Sequence, residues 1–260
     1  TSEQKTERVT QEAKAIVKNS GAGKAVGDAG VAVKNMSSGV LDYGVGSYKN
    51  GKLTLSSQDV EDIVKVASTE VVASLKGVEL ERQTAGVVDT ILNRVALNGG
   101  NVRKVVNTYG AFSKINSALK DKNGNPDDYG SVQAMPNGAV NRKVAAAALA
   151  HLKTRATGGD SIVGGNVNYA NPYFLQQSSA ATKKWVSEVY SQARQTGQIF
   201  GSGNAIHVHG TPAGQKRAPK FGVEIPQVAQ QATNFVSQSS NAQRLANTTN
   251  TSNSKHIEVA

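Results

Sequence analysis

The chain has 260 residues, 38% apolar and 18% charged, with 29 Lys and Arg against 19 Asp and Glu, for a formal charge of +10. That length supports one good-sized core with flanking appendages, and the absence of cysteine excludes disulfides, thiolate zinc sites and a cysteine nucleophile. No run of about 18 apolar residues occurs and Thr1 to Thr10 is polar, so neither a membrane span nor a signal peptide is expected. The basic excess is spread thinly: 8 basic against 5 acidic residues in 1–56, 19 against 13 in 57–226, 2 against 1 in 227–260. With aromatics at 5% and no basic block, this pattern favours adhesion to an anionic polymer over specific nucleic-acid binding.

In chain order, residues 1–56 join a polar helix-like run (Glu3 to Asn19) to a small-residue stretch and to Gly-punctuated β-like pieces around Val40 to Tyr48. This segment reads as an attachment piece that buries little by itself. The first confident helix opens at Ser56 or Ser57 with Asp59, Glu61 and Asp62 in its first turns, runs to about Leu75 and stops near Gly77. A second runs from about Glu79 to Leu97, with Ala85, Val88, Leu92 and Val95 as its inward stripe. A third spans Val140 to Arg155 and a fourth Ala180 to Gln195, each closed by glycine. Long Asn-, Gly- and Pro-containing loops separate them, and residues 227–260 read as a polar tail. The expected fold is mainly α, a helical domain over 57–226 with functional loops and a small β element.

On a wheel of about 100° per residue, Val60, Val64, Ala67, Val71 and Leu75 gather on one face of the first helix. Asp59, Asp62 and Lys65 fall on the expected wet side, while Glu70 lands at the rim of the apolar stripe with Ser74 one turn on. A carboxyl at such an edge loses hydration, which raises its pKa toward the range of a general acid. On the wheel alone, the commoner explanation is a half-buried glutamate paired with a Lys or Arg of a neighbouring helix.

Glu70-Val71-Val72, the run Glu81 to Val95 with its Gln83 and Ile91-Leu92-Asn93-Arg94, Phe112-Ser113, and Asn168-Tyr169-Ala170-Asn171-Pro172 together resemble, in order and rough spacing, the SleB-type cell wall hydrolases of spore cortex lysis and phage lysins. The resemblance covers about Val60 to Val223. It implies a lysozyme-like helical fold that cleaves the MurNAc to GlcNAc bond of peptidoglycan, with one essential glutamate, matched by Glu70. Glu79 and Glu81, at the start of the second helix, are the fallback acids. Asp89 is the nearest candidate for a second carboxylate, which hydrolysis requires and a lytic transglycosylase does not.

Asn168, Tyr169, Asn171 and Tyr173 combine amides and rings in a loop suited to sugar hydroxyls and C–H faces. Phe112 and Ser113 are read as further substrate contacts, although a phenylalanine in that position is more often core than cleft. His207 and His209 alternate on one strand face; with no third ligand marked, a metal is not expected and His209 is read as lining the cleft. His151 and His256 read as surface residues. The expectation is therefore a peptidoglycan lytic transglycosylase needing no cofactor, carried to the cell envelope by a virion or secretion device through its termini. The alternative is a virion component that keeps the wall-binding domain without activity.

Overall fold

The computed structural model describes residues 46–117, 120–173 and 179–225, all within one compact unit that begins at Gly44. Two strands, β1 (Ser47–Lys49) and β2 (Lys52–Thr54), form a hairpin and lead into α1 (Ser57–Glu70). Next come α2 (Gly77–Leu97) and the short α3 (Val102–Val106), then a 3₁₀ turn (Asn137–Ala139) and α4 (Arg142–Ala156). Strand β3 (Asn168–Ala170), α5 (Ala180–Thr196), β4 (Ile199–Ser202), β5 (Ala205–Gly210) and β6 (Gly222–Glu224) complete the order. The described residues are thus a mixed structure of five α-helices and two three-stranded sheets, ordered β1-β2-β6 and β3-β5-β4. More β-structure is present than the single small element expected. Most strands are only three residues long, too short to show an alternating pattern in sequence.

Leu53 and Leu55 are fully buried, and β2 pairs with β6 in parallel, Leu53 opposite Val223. Residues 46–56 therefore belong to the folded unit rather than to an N-terminal appendage, because β6 closes the chain back onto β2. The tail from 227, the helix-like run near Glu3 and His256 lie outside the described residues.

Helix α1 starts with a reciprocal cap: Ser56 Oγ accepts from the Asp59 N–H at 3.1 Å, and Asp59 Oδ2 accepts from the Ser56 N–H at 2.8 Å. It ends at Glu70, earlier than the apolar period implies. Val71 turns to extended geometry (φ −75°, ψ 137°) and the Val72 N–H donates to Gln83 Oε1 at 2.9 Å instead of to its own helix. The expected wet face of α1 is also corrected: Asp59, Asp62 and Lys65 are buried, at 5%, 1% and 6% exposure. Asp62 accepts from Gln58 and Gln133 and faces Arg103 at 3.7 Å, so α3 and the 131–135 loop cover that side. Lys65 is neutralised by Glu61 at 2.9 Å.

Helix α2 is the spine. Every residue from Gln83 to Asn93 is buried, with Val87, Val88, Ile91, Leu92 and Val95 in the main core alongside α1, α4 and Phe112. A helix buried all round must serve two neighbours. The second neighbour is the β3-β5-β4 sheet, whose other face packs Ile206 and Val208 on Val189 and Ala193 of α5. Replacing Leu53 by alanine is expected to lower unfolding free energy by about 2–5 kcal/mol, the usual cost of such a core cavity. Urea titration checks this; an unchanged midpoint would return residues 46–56 to the status of an appendage.

Candidate active site

Glu70 is the last residue of α1, where its side chain meets β3. The Tyr169 hydroxyl donates to Glu70 Oε2 at 2.8 Å, and Oε1 is buried with no hydrogen-bond partner. Burial pushes the carboxyl above its ordinary 4.5. The Tyr169 hydroxyl, the Arg94 charge and the Ser113 backbone N–H pull the other way without overcoming it. The Ser113 amide acts here without reaching hydrogen-bond geometry to Oε1. Tyr169 is itself held protonated, its pKa driven well up by burial and by the neighbouring Glu70 charge. One oxygen of the acid is therefore fixed by a neutral phenol and the other is left buried without a partner.

The positioning runs through a polar stripe on α2. Gln83, Gly86, Thr90, Asn93 and Arg94 recur at helical spacing on the side away from the aliphatic core. Gln83 Nε2 donates to the carbonyls of Phe200 and Ala205 at 3.0 and 2.9 Å, clasping the β4-β5 hairpin to the segment after Glu70. Asn93 Nδ2 donates to the carbonyls of Gly164 and Asn166, both at 2.8 Å, and Arg94 Nε donates to the Val167 carbonyl at 2.6 Å. These bonds fix the strand that delivers Tyr169. The Arg94 guanidinium also lies 5.3 Å above the Phe112 ring.

Behind Tyr169 sit the two histidines. Tyr169 stacks on His207 (centroids 4.9 Å apart, 20° between planes) and tilts on His209 at 5.6 Å. His209 Nδ1 lies 3.0 Å from Thr90 Oγ1. That hydroxyl spends its proton on the Gly86 carbonyl at 2.9 Å, so Nδ1 is assigned as the protonated nitrogen and Nε2 as a bare acceptor. Burial holds His209 well below its usual range and His207 at about 4. Gly86 is required here: a Cβ would lie 2.8 Å from both His209 Nε2 and Phe200 Cδ2.

The remaining sequence candidates divide clearly. Ser113, Asn171 and Tyr173 reach the surface, Tyr173 at 51% exposure. Phe112 and His209, read as substrate contacts, are instead 1% and 0% exposed and act from behind, because α2 and β4 pack over them. Asn168 is buried and donates to Gln215 Oε1 at 2.6 Å, and Asn171 donates to the Asn204 carbonyl while accepting from the Tyr173 N–H. Asp89 is no second carboxylate of this site: it is fully buried, 3.0 Å from Arg155 Nε, and accepts from the Ile162 N–H. His151 is largely covered and lies 3.0 Å from Asp89, so it is not a surface residue. Glu79 accepts from the Gly201 N–H at 3.2 Å, Glu81 is exposed, and Ser74 has left the helix to line a cavity beyond Val72. Among the described residues no three His, Asp or Glu side chains are grouped to hold a metal, and no helix is long and apolar enough to cross a membrane.

The sequence reading missed the polar stripe on α2. Its signal was available: uncharged or small residues at 83, 86, 90 and 93, interleaved with the aliphatic stripe on the opposite side. No protein-family model, curated protein or solved structure matches this chain.

Below pH 6.5 the unfolded chain takes up a proton that folded His207 refuses until about pH 4, so its burial makes stability fall as pH drops through that window, by up to roughly 3 kcal/mol. Urea unfolding at pH 7 and pH 5 is expected to show wild type losing about 2 kcal/mol more than His207→Phe. Equal losses would mean that the imidazole is not held neutral.

Proposed function

We propose that the protein cuts peptidoglycan glycan strands between MurNAc and GlcNAc as a SleB-type lytic transglycosylase with a lysozyme-like helical core, Glu70 serving first as acid and then as base. The observation that carries this reading is the Glu70 carboxyl, pinned through Oε2 by Tyr169 and left with an unpaired, desolvated Oε1. A carboxyl kept protonated above its ordinary range can give Oε1–H to the glycosidic oxygen as the C1–O bond breaks. The resulting carboxylate takes the proton of the muramic acid hydroxyl that closes onto C1, giving a 1,6-anhydro product and returning Glu70 to its starting state. The route needs one carboxyl, which agrees with Asp89 being committed to Arg155. Delivery by a virion or secretion device, with the flanking segments as attachments, belongs to the same proposal.

The non-catalytic alternative, a wall-binding virion component, is favoured by one feature: Oε1 has no solvent access, so substrate must displace the exposed Ser113 segment or its neighbours to reach it. Purified sacculi incubated with wild type and Glu70→Gln separate the two readings. Anhydro-muropeptides by mass spectrometry from wild type, reduced at least about 100-fold in Glu70→Gln, are expected. No product from wild type favours the binding module, and equal product from both proteins removes Glu70 from its role.

Tyr169→Phe removes a donor that favours the ionised acid, so the alkaline limb of the rate profile is expected to move to higher pH. A limb that stays in place or moves down would show that Tyr169 does not tune Glu70.

A further inference from the structure

A cavity of about 650 Å³ lies between the α1–α2 connection and the tip of the β4-β5 hairpin, lined by Val72, Ser74, Leu75, Lys76, Glu79 and residues 202, 204 and 205. Hydrogen bonds tie both sides of it to the segments that carry Glu70 and Tyr169. Val72 follows Glu70 by two residues and is tied through Gln83 to the opposite wall at the Ala205 carbonyl. On the other side Tyr169, bonded to Glu70, leads to Asn171, which holds the Asn204 carbonyl at 2.8 Å. Val72, two residues from Glu70, lines this cavity, so a chain-like ligand that has displaced the cover over Glu70 has it as a neighbouring compartment. The volume is in the range of small-ligand sites.

The chemistry of the lining is specific. Lys76 is exposed and pairs with no acidic side chain among the described residues. Glu79, three residues on, is fixed by the Gly201 N–H and is not paired with Lys76. Two opposite charges thus face one compartment without neutralising each other. Ser74 and Ser202, both exposed, line the same cavity from its two sides. A ligand that brings a single charge satisfies one of these side chains and opposes the other, whereas a zwitterion satisfies both.

We infer that this cavity receives a free amino-acid head group, an ammonium and a carboxylate on one carbon, with Lys76 meeting the carboxylate and Glu79 the ammonium. Resting on the peptidoglycan reading, the group is the unlinked end of a diamino acid in the stem peptide that hangs from the muramic acid beside Glu70. The cavity then makes the protein selective for strands whose stems are not cross-linked at that residue.

The test uses the full chain and GlcNAc-MurNAc-tripeptide ending in meso-diaminopimelate. This fragment lacks the MurNAc to GlcNAc bond, so its binding does not depend on cleavage. Calorimetric titration is expected to show the tripeptide form binding at least about tenfold tighter than the peptide-free disaccharide, with N-acetylation of the terminal amine removing the gain. Lys76→Met and Glu79→Gln should each weaken the tripeptide complex about tenfold; glutamine still accepts from Gly201, so the second variant keeps the hairpin in place. Equal affinity with and without peptide, or a tripeptide affinity unmoved by both variants, overturns the inference. Glu70-dependent cutting of sacculi without stem preference refutes this inference alone. Stem binding with uncut sacculi leaves the cavity as a stem receptor and refutes the cleavage reading.

Discussion

A carboxyl taken out of water beside a single phenolic hydroxyl is the constraint around which the rest of this structure is arranged. Desolvation of Glu70 favours its neutral form, and only a firmly held partner keeps such a group from recruiting water or a counter-ion. Tyr169 supplies that partner, and Tyr169 is held in turn by the imidazoles of His207 and His209 behind its ring. Burial keeps those imidazoles neutral, so the stack adds no positive charge to the carboxyl. Arg94 is the nearby cation, and its Nε is bonded to the Val167 carbonyl rather than to the acid. It therefore acts on Glu70 through its field, short of an ion pair that would lock the carboxylate ionised.

The helix that makes this possible is α2. Its aliphatic side completes the core with α1 and α4, while its other side meets the ends of four segments through Gln83, Thr90, Asn93 and Arg94. Gln83, Asn93 and Arg94 donate to backbone carbonyls and Thr90 meets the His209 ring, so the same bonds that satisfy the interior also set the register of the site. Removing one of them leaves an orphaned carbonyl, which is why α2 couples stability to geometry so tightly. Gly86 gives the contact its closeness, letting His209 and Phe200 approach the helix backbone where any side chain would intrude.

What could be read from the sequence was what local periodicity encodes. The four long helices were legible from apolar spacing and from end signals such as the Ser56 cap and the closing Gly197. The placement of Glu70 at a rim followed from the wheel. Errors arose where a distant element overrode a local pattern. Asp59, Asp62 and Lys65 read as wet because nothing local announces that α3 and the 131–135 loop cover them. The pattern ran α1 on to Leu75 because the capture of Val72 by Gln83 is tertiary. Tyr169 was read as a substrate contact, and its bond to Glu70, a contact across 99 positions, was not foreseen. Phe112 and His209 illustrate the converse, residues of the right type that support a site from behind without facing it.

The proposed chemistry places its whole burden on one proton. If Glu70 holds it at the pH of the cell envelope, a single acid can open a glycosidic bond and then close an anhydro ring; if it does not, the surrounding architecture is a carboxylate receptor without a donor. Isotope-edited NMR titration of the Glu70 Cδ resonance, assigned by its loss in Glu70→Gln, reads this directly. The account requires a midpoint above the ordinary 4.5 of a glutamate, and a midpoint at or below that value would contradict it.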